Sequence, residues 1–196
     1  MNRFAFVLIL VLAGAFSRLI PHEYNLAPVA ALGLLSGAVL MQGRGQQRGW
    51  AVAMPILALL VSDVLIFALD PLGTSPHGQF FHNSLGFVLQ RLFDFGSFAL
   101  IPFIGQWVGR RLNAQRVLTG ALAGSLVFFL FSNFGYYLAQ SFPFAGSEYP
   151  RASLLGCYIQ AIPFYRATLL GDLAYSALFF GAYAYLLRSR RISQAA

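Results

Sequence analysis

Reactive chemistry has few places to sit in this chain. Between long apolar runs, polar side chains occur at Ser62-Asp63, at Arg91 and Asp94, at Ser132-Asn133, and from Arg166 to Asp172. A charge surrounded by apolar residues is expensive at membrane depth, so each is a candidate either for binding or for pairing. Arg91 and Asp94, three residues apart, suit a salt bridge on one helix face and are expected to be architectural. Asp63 and Asp172 have no opposite charge within a helical turn. They are expected to bind a cation or an amine group, the alternative being that they hold helices together. Asn133 would orient a solute by hydrogen bonding, and Arg18 or Arg166 would hold a carboxylate or phosphate.

Other chemistries lack their residues. His22, His77 and His82 are not spaced as a helical ligand pair and fall in loops, so no metal and no cofactor is expected. There is no Gly-x-Ser-x-Gly elbow, no His-Glu-x-x-His motif and no Walker-type loop, and Cys157 is a lone thiol. An enzyme is not expected.

The elements that must position these groups are membrane helices. Of 196 residues, 58% are hydrophobic and 10% charged, where soluble domains carry about 25% charged residues. The length suits one domain, residues 1–196, so the apolar excess belongs to the whole chain. Runs long enough to cross a bilayer lie at Phe4 to Ile20, Leu26 to Met41, Trp50 to Leu69, Arg91 to Val108 and Val117 to Gln140. The stretch from Ala152 to Leu187 is too long for one ordinary span. Pro163 is expected to divide it into a short re-entrant or interfacial segment, Leu154 to Ile162, and a sixth helix, Tyr165 to Leu187. The first run also has signal-peptide features, with Arg3 ahead of it and Ala13-Gly14-Ala15 within it, but a second span follows at once.

All thirteen basic residues are arginine. Arg3, Arg44, Arg48, Arg110, Arg111, Arg116, Arg188, Arg190 and Arg191 fall on one side, with no acidic residue among them. By the positive-inside rule that side is cytoplasmic and both termini lie on it. The net charge of +7 is then a topology signal, and no nucleic acid is expected as a partner. The outer connections, 70–90 and 141–166, are long and aromatic, as a lid over an outward-opening site would be. The expected fold class is an all-α membrane protein of six transmembrane helices.

Close helix packing has its own signature. Gly33 with Gly37, Gly105 with Gly109, and Gly120 with Gly124 carry the small-residue spacing that lets membrane helices approach. Packing within the chain is the plain reading; a homodimer or partner subunit is the other, with Ala13 and Ser17 a weaker surface for it. Pro55 is expected near the start of the third helix, and Pro102 to kink the fourth.

The stretches RLIPHEYNLAPVAA (18–31), Ser62-Asp63, Ser132-Asn133-Phe134-Gly135 and YPRASLLGCYIQAIPFYRATLLGDL (149–173) resemble a family of bacterial integral-membrane proteins of unknown function, described as transport proteins. The layout is also similar to the substrate-binding S components of energy-coupling-factor transporters. That resemblance implies a multi-pass protein of the bacterial inner membrane that captures a small molecule or ion from outside. It implies a pocket formed by the first and third outer loops, with His22 and Asn25 in the first, and by residues near Asp63, Asn133 and Asp172. It further implies a transmembrane coupling subunit, although the first helix lacks the Ala-x-x-x-Ala surface such components use. The alternative is an accessory subunit of a larger membrane complex.

Overall fold

The computed structural model describes residues 3–18, 28–43, 45–69, 85–140 and 152–195. Among the described residues there are six helices and no strand: α1 (Arg3–Ser17), α2 (Val29–Leu40), α3 (Gln46–Leu69), α4 (Leu85–Arg110), α5 (Ala114–Ala139) and α6 (Leu154–Ala195). Four of them hold segments long and apolar enough to cross a membrane: Gln46–Ile66, Val88–Arg110, Ala114–Ala139 and Leu154–Ser189. α1 has 15 residues and α2 has 12. At 1.5 Å per residue these are about 22 and 18 Å long, short of a hydrocarbon core of roughly 30 Å.

α2 is short because it is the hub of the bundle. All twelve of its residues are buried, and it packs against each of the other five helices. A helix that is apolar all round has no face to give to solvent, so burial on every side follows from its sequence. Its small residues set the spacing. A Cβ built on Gly37 would overlap the Pro102 carbonyl of α4, and one on Gly105 or Gly109 of α4 would overlap the carbonyls of Leu34 or Ala38. The α2 and α4 backbones therefore touch directly. On α5, a Cβ at Gly120 would lie 2.6 Å from Val108 Cγ2. The glycine pairs are thus used for packing within the chain.

Contacts at the helix ends fix the directions. Gln42, just past α2, donates from Nε2 to the Gln106 carbonyl near the end of α4 at 2.9 Å. Asn113 caps α5, its side chain accepting from the Arg116 backbone N–H at 2.8 Å. The Arg116 guanidinium lies 4.8 Å from the Trp107 ring centroid and donates to the Trp107 carbonyl at 3.0 Å, which closes the α4–α5 turn. At the opposite end, Gln140 donates to Cys157 Sγ at 2.9 Å and accepts from the Ala152 N–H at 2.9 Å, tying the end of α5 to the start of α6.

Two expectations about proline need correction. Pro163 does not divide the last segment: α6 is one continuous helix of 42 residues, with Pro163 inside it and exposed. There is accordingly no separate re-entrant segment at Leu154 to Ile162. A proline frees one carbonyl in the preceding turn, which neighbouring groups in a membrane bundle can satisfy, so the helix survives. At 1.5 Å per residue α6 is about 63 Å long. Pro55 is interior to α3 and buried, because the helix begins at Gln46 and not at Trp50.

Candidate functional site

The first polar cluster lies where α1 ends. Arg18, one residue beyond α1, places Nη1 2.8 Å from Asp63 Oδ1 of α3. The same nitrogen donates to the Leu59 carbonyl at 3.3 Å and to the Ser62 hydroxyl. Ser62 is itself held by donation to the Leu59 carbonyl at 2.9 Å. On the other side of Asp63, Oδ2 is 3.7 Å from Arg91 Nε of α4, and Arg91 Nη1 is 3.3 Å from Asp94 Oδ2. The result is an alternating chain, Arg18–Asp63–Arg91–Asp94, whose side chains are 8 to 21% exposed. Its formal charges cancel. The cluster joins α1, α3 and α4, with Ser97 donating to the Asp94 carbonyl at 2.6 Å.

Asp63 is therefore not the isolated carboxylate that its neighbours in sequence suggested. Its partners come from 45 residues upstream and 28 downstream, a distance at which no local spacing rule operates. Arg18 does not turn back toward the interface but reaches inward to Asp63. The Arg91–Asp94 pair forms as its spacing implies, with the added contact to Asp63.

The second cluster is at mid-bundle. Asp172 of α6 is 2% exposed, and its Oδ2 accepts from the Ser125 hydroxyl of α5 at 2.5 Å. Among the described residues no cation pairs with it; the ion pairs involve only the Arg18–Asp94 chain. Thr168, Asp172 and Ser176 stand four residues apart and are all buried, at 6, 2 and 1% exposure. Residues at that spacing share one helix face, so they form a polar stripe along α6. Thr168 spends its hydroxyl on the Phe164 carbonyl at 3.3 Å, while the buried Ser176 hydroxyl has no hydrogen-bond partner among the described residues. The walls are Ala30, Ala31 and Leu34 of α2, Ile101 of α4, and Gly120, Ala121 and Gly124 of α5. The interstice among them has no room for a water-sized molecule.

The two clusters differ in depth. Ser125 lies about 16 Å from the start of α5 and about 21 Å from its end, so the Ser125–Asp172 contact is near the helix middle. Asp63 lies about 9 Å from the end of α3. Asp63 and Asp172, expected to line one pocket, thus belong to two separate sites; α6 starts at Leu154, eleven residues before Tyr165, and Asp172 lies well along it.

Of the remaining candidates, Asn133 and Arg166 make no hydrogen bond to either site among the described residues. Asn133 is half-buried and its Nδ2 donates to the Phe129 carbonyl of its own helix at 2.7 Å. Arg166 is exposed on α6. His22 and Asn25 lie outside the described residues. Ser125, Thr168 and Ser176 are not among the site residues expected from the sequence. The available signal was the four-residue spacing of polar residues around Asp172.

Residues 1–195 match a family described as a family of unknown function, DUF6580. The chain belongs to that family. Membership in DUF6580 spans both clusters and brings no assigned activity to either. Comparisons with curated proteins and with solved structures find no match.

Proposed function

We propose that this protein is a membrane transport protein, or the solute-binding component of one, with Asp172 as the cation-binding group of a central site. The observation that carries the reading is a carboxylate at mid-bundle, 2% exposed, with a serine hydroxyl for company and no cation paired to it among the described residues. Ionisable residues inside a membrane bundle are rare and mark solute or ion pathways. The Arg18–Asp94 chain is assigned a structural role, since its charges are already matched. In this reading the bundle spans the bacterial inner membrane, with α3 to α6 as crossing helices and α2 held inside the bundle, both termini on the arginine-rich cytoplasmic side and the solute entering from outside.

Uptake and binding screens in proteoliposomes, comparing wild type with Asp172→Asn, test the proposal. A small cation or amine that stabilises or enters only with wild type supports it. A solute handled equally by both proteins removes the assigned role of Asp172.

A coupling or accessory partner finds support in one place. Ala13 is exposed on α1, and Ser17 turns its hydroxyl back to the Gly14 carbonyl at 2.8 Å, within an exposed apolar face that also carries Ile9, Leu12 and Phe16. Purification in mild detergent tests it: a stoichiometric large partner supports a subunit role, and an isolated monomer opposes it.

A further inference from the structure

We propose that Asp172, Ser125 and Ser176 form a proton-exchange site, so that the cation taken by the central site is H⁺. The inference rests on the transport reading above and names the ion at its site.

Size is the first argument. The interstice beside Asp172 has no room for a water-sized molecule, so an organic ammonium would enter only if the helices part, whereas a proton needs no such movement to fit. Hard metal cations take about six or more oxygen ligands. The side-chain oxygens here come from Asp172 and from one hydroxyl each on Ser125 and Ser176, and the walls are otherwise alanine, leucine, isoleucine and glycine. A proton needs one carboxylate oxygen and no added volume.

Hydrogen-bonding capacity is the second. Ser125 donates to Oδ2, and a carboxyl group that takes up H⁺ gains one O–H donor. Four residues along the same face, the Ser176 hydroxyl is buried without a partner. A hydroxyl both donates and accepts, and Ser176, one turn along the same helix face, is the buried hydroxyl with capacity left to receive that O–H. On loading, H⁺ passes from hydronium to a carboxylate oxygen, forming the acid O–H and leaving water; on release that O–H breaks and H⁺ passes back to water, each exchange requiring the interstice to open to solvent.

Isolation is the third. The lining residues of α2 (Ala30, Ala31, Leu34), α4 (Ile101) and α5 (Gly120, Ala121, Gly124, Ser125) include no titratable or charged group. On α6 the neighbours along the stripe are Thr168 and Ser176, and the titratable Tyr165 lies seven residues before Asp172. No resident cation competes with the proton.

Infrared difference spectroscopy of the full chain in nanodiscs, stepped between acidic and alkaline pH, reads the site without needing the solute. Wild type is expected to give a reversible C=O band of a protonated carboxyl in a dry setting, Asp172→Asn to lose it, and Asp63→Asn to keep it. Ser125→Ala is expected to fold and to shift the band to higher frequency through loss of the hydrogen bond at Oδ2; it carries the test if Asp172→Asn does not fold. Absence of the band in wild type, its survival in Asp172→Asn, or an unshifted band in Ser125→Ala overturns the proposal. If the band is absent but a small cation or amine still stabilises wild type and not Asp172→Asn, the proton fails and the transport reading stands. A band that depends on Asp172, with solute uptake that does not, has the opposite meaning.

Discussion

Replacing Asp63 by asparagine leaves two guanidinium groups, Arg18 and Arg91, facing one remaining carboxylate, Asp94. The side chains of Arg18 and Asp63 are 14 and 10% exposed, so solvent screens the imbalance poorly. Removing one partner of a buried ion pair costs about 3 to 5 kcal/mol, whereas replacing both by well-packed apolar residues is often close to neutral. A chain of 196 residues loses about 2 to 4 °C of midpoint per kcal/mol, so Asp63→Asn is expected to melt roughly 6 to 20 °C lower. The double variant Arg18→Met with Asp63→Leu is expected to recover most of that loss. Arg91 keeps Asp94 at 3.3 Å in the double variant, so no new unpaired charge arises. Thermal unfolding in one detergent, followed for wild type, both single variants and the double variant, measures the coupling. A double variant as unstable as the sum of the single variants would refute the reasoning, because it would show that Arg18 and Asp63 do not act as a pair.

Three further outcomes follow from the packing and the proposed topology. Gly37→Ala places a methyl group against the Pro102 carbonyl and is expected to destabilise by more than about 2 kcal/mol, while Gly96→Ala, which meets nothing within 4 Å, is expected to be neutral or to gain up to about 1 kcal/mol in the same melting assay. Cys157 is 2% exposed and held by Gln140 at 2.9 Å; a soluble maleimide is expected to leave native protein unlabelled, to label unfolded protein, and to label Gln140→Ala faster than wild type. The proposed topology places the end of α6 in the cytoplasm, so a fluorescent protein fused there is expected to mature and an export-dependent phosphatase to stay inactive; the reverse result contradicts the orientation.

Much of the architecture is legible in the sequence because membrane helices are written in local terms. Apolar runs mark α3, α4, α5 and the later part of α6, and the small residues Gly37, Gly105 and Gly109 mark where backbones meet. Three things are not local. Helix α6 runs through Pro163 because tertiary packing can meet the cost of one freed carbonyl. Helix α2 is a central strut shorter than a bilayer, and its uniform apolarity reads the same whether lipid or protein surrounds it. Asp63 finds its counterions on two other helices, so its lack of a charged neighbour in sequence says nothing about its pairing. For Asp172 the same local isolation does coincide with the absence of a cationic partner among the described residues, and only the fold distinguishes the two cases.

The most direct measurement is solute uptake and proton flux in proteoliposomes made with wild type, Asp172→Asn and the Arg18→Met, Asp63→Leu double variant. Uptake retained by the double variant and lost in Asp172→Asn is the predicted result. Full activity in Asp172→Asn, with the double variant inactive though folded, would contradict the assignment and move the site to the charge chain.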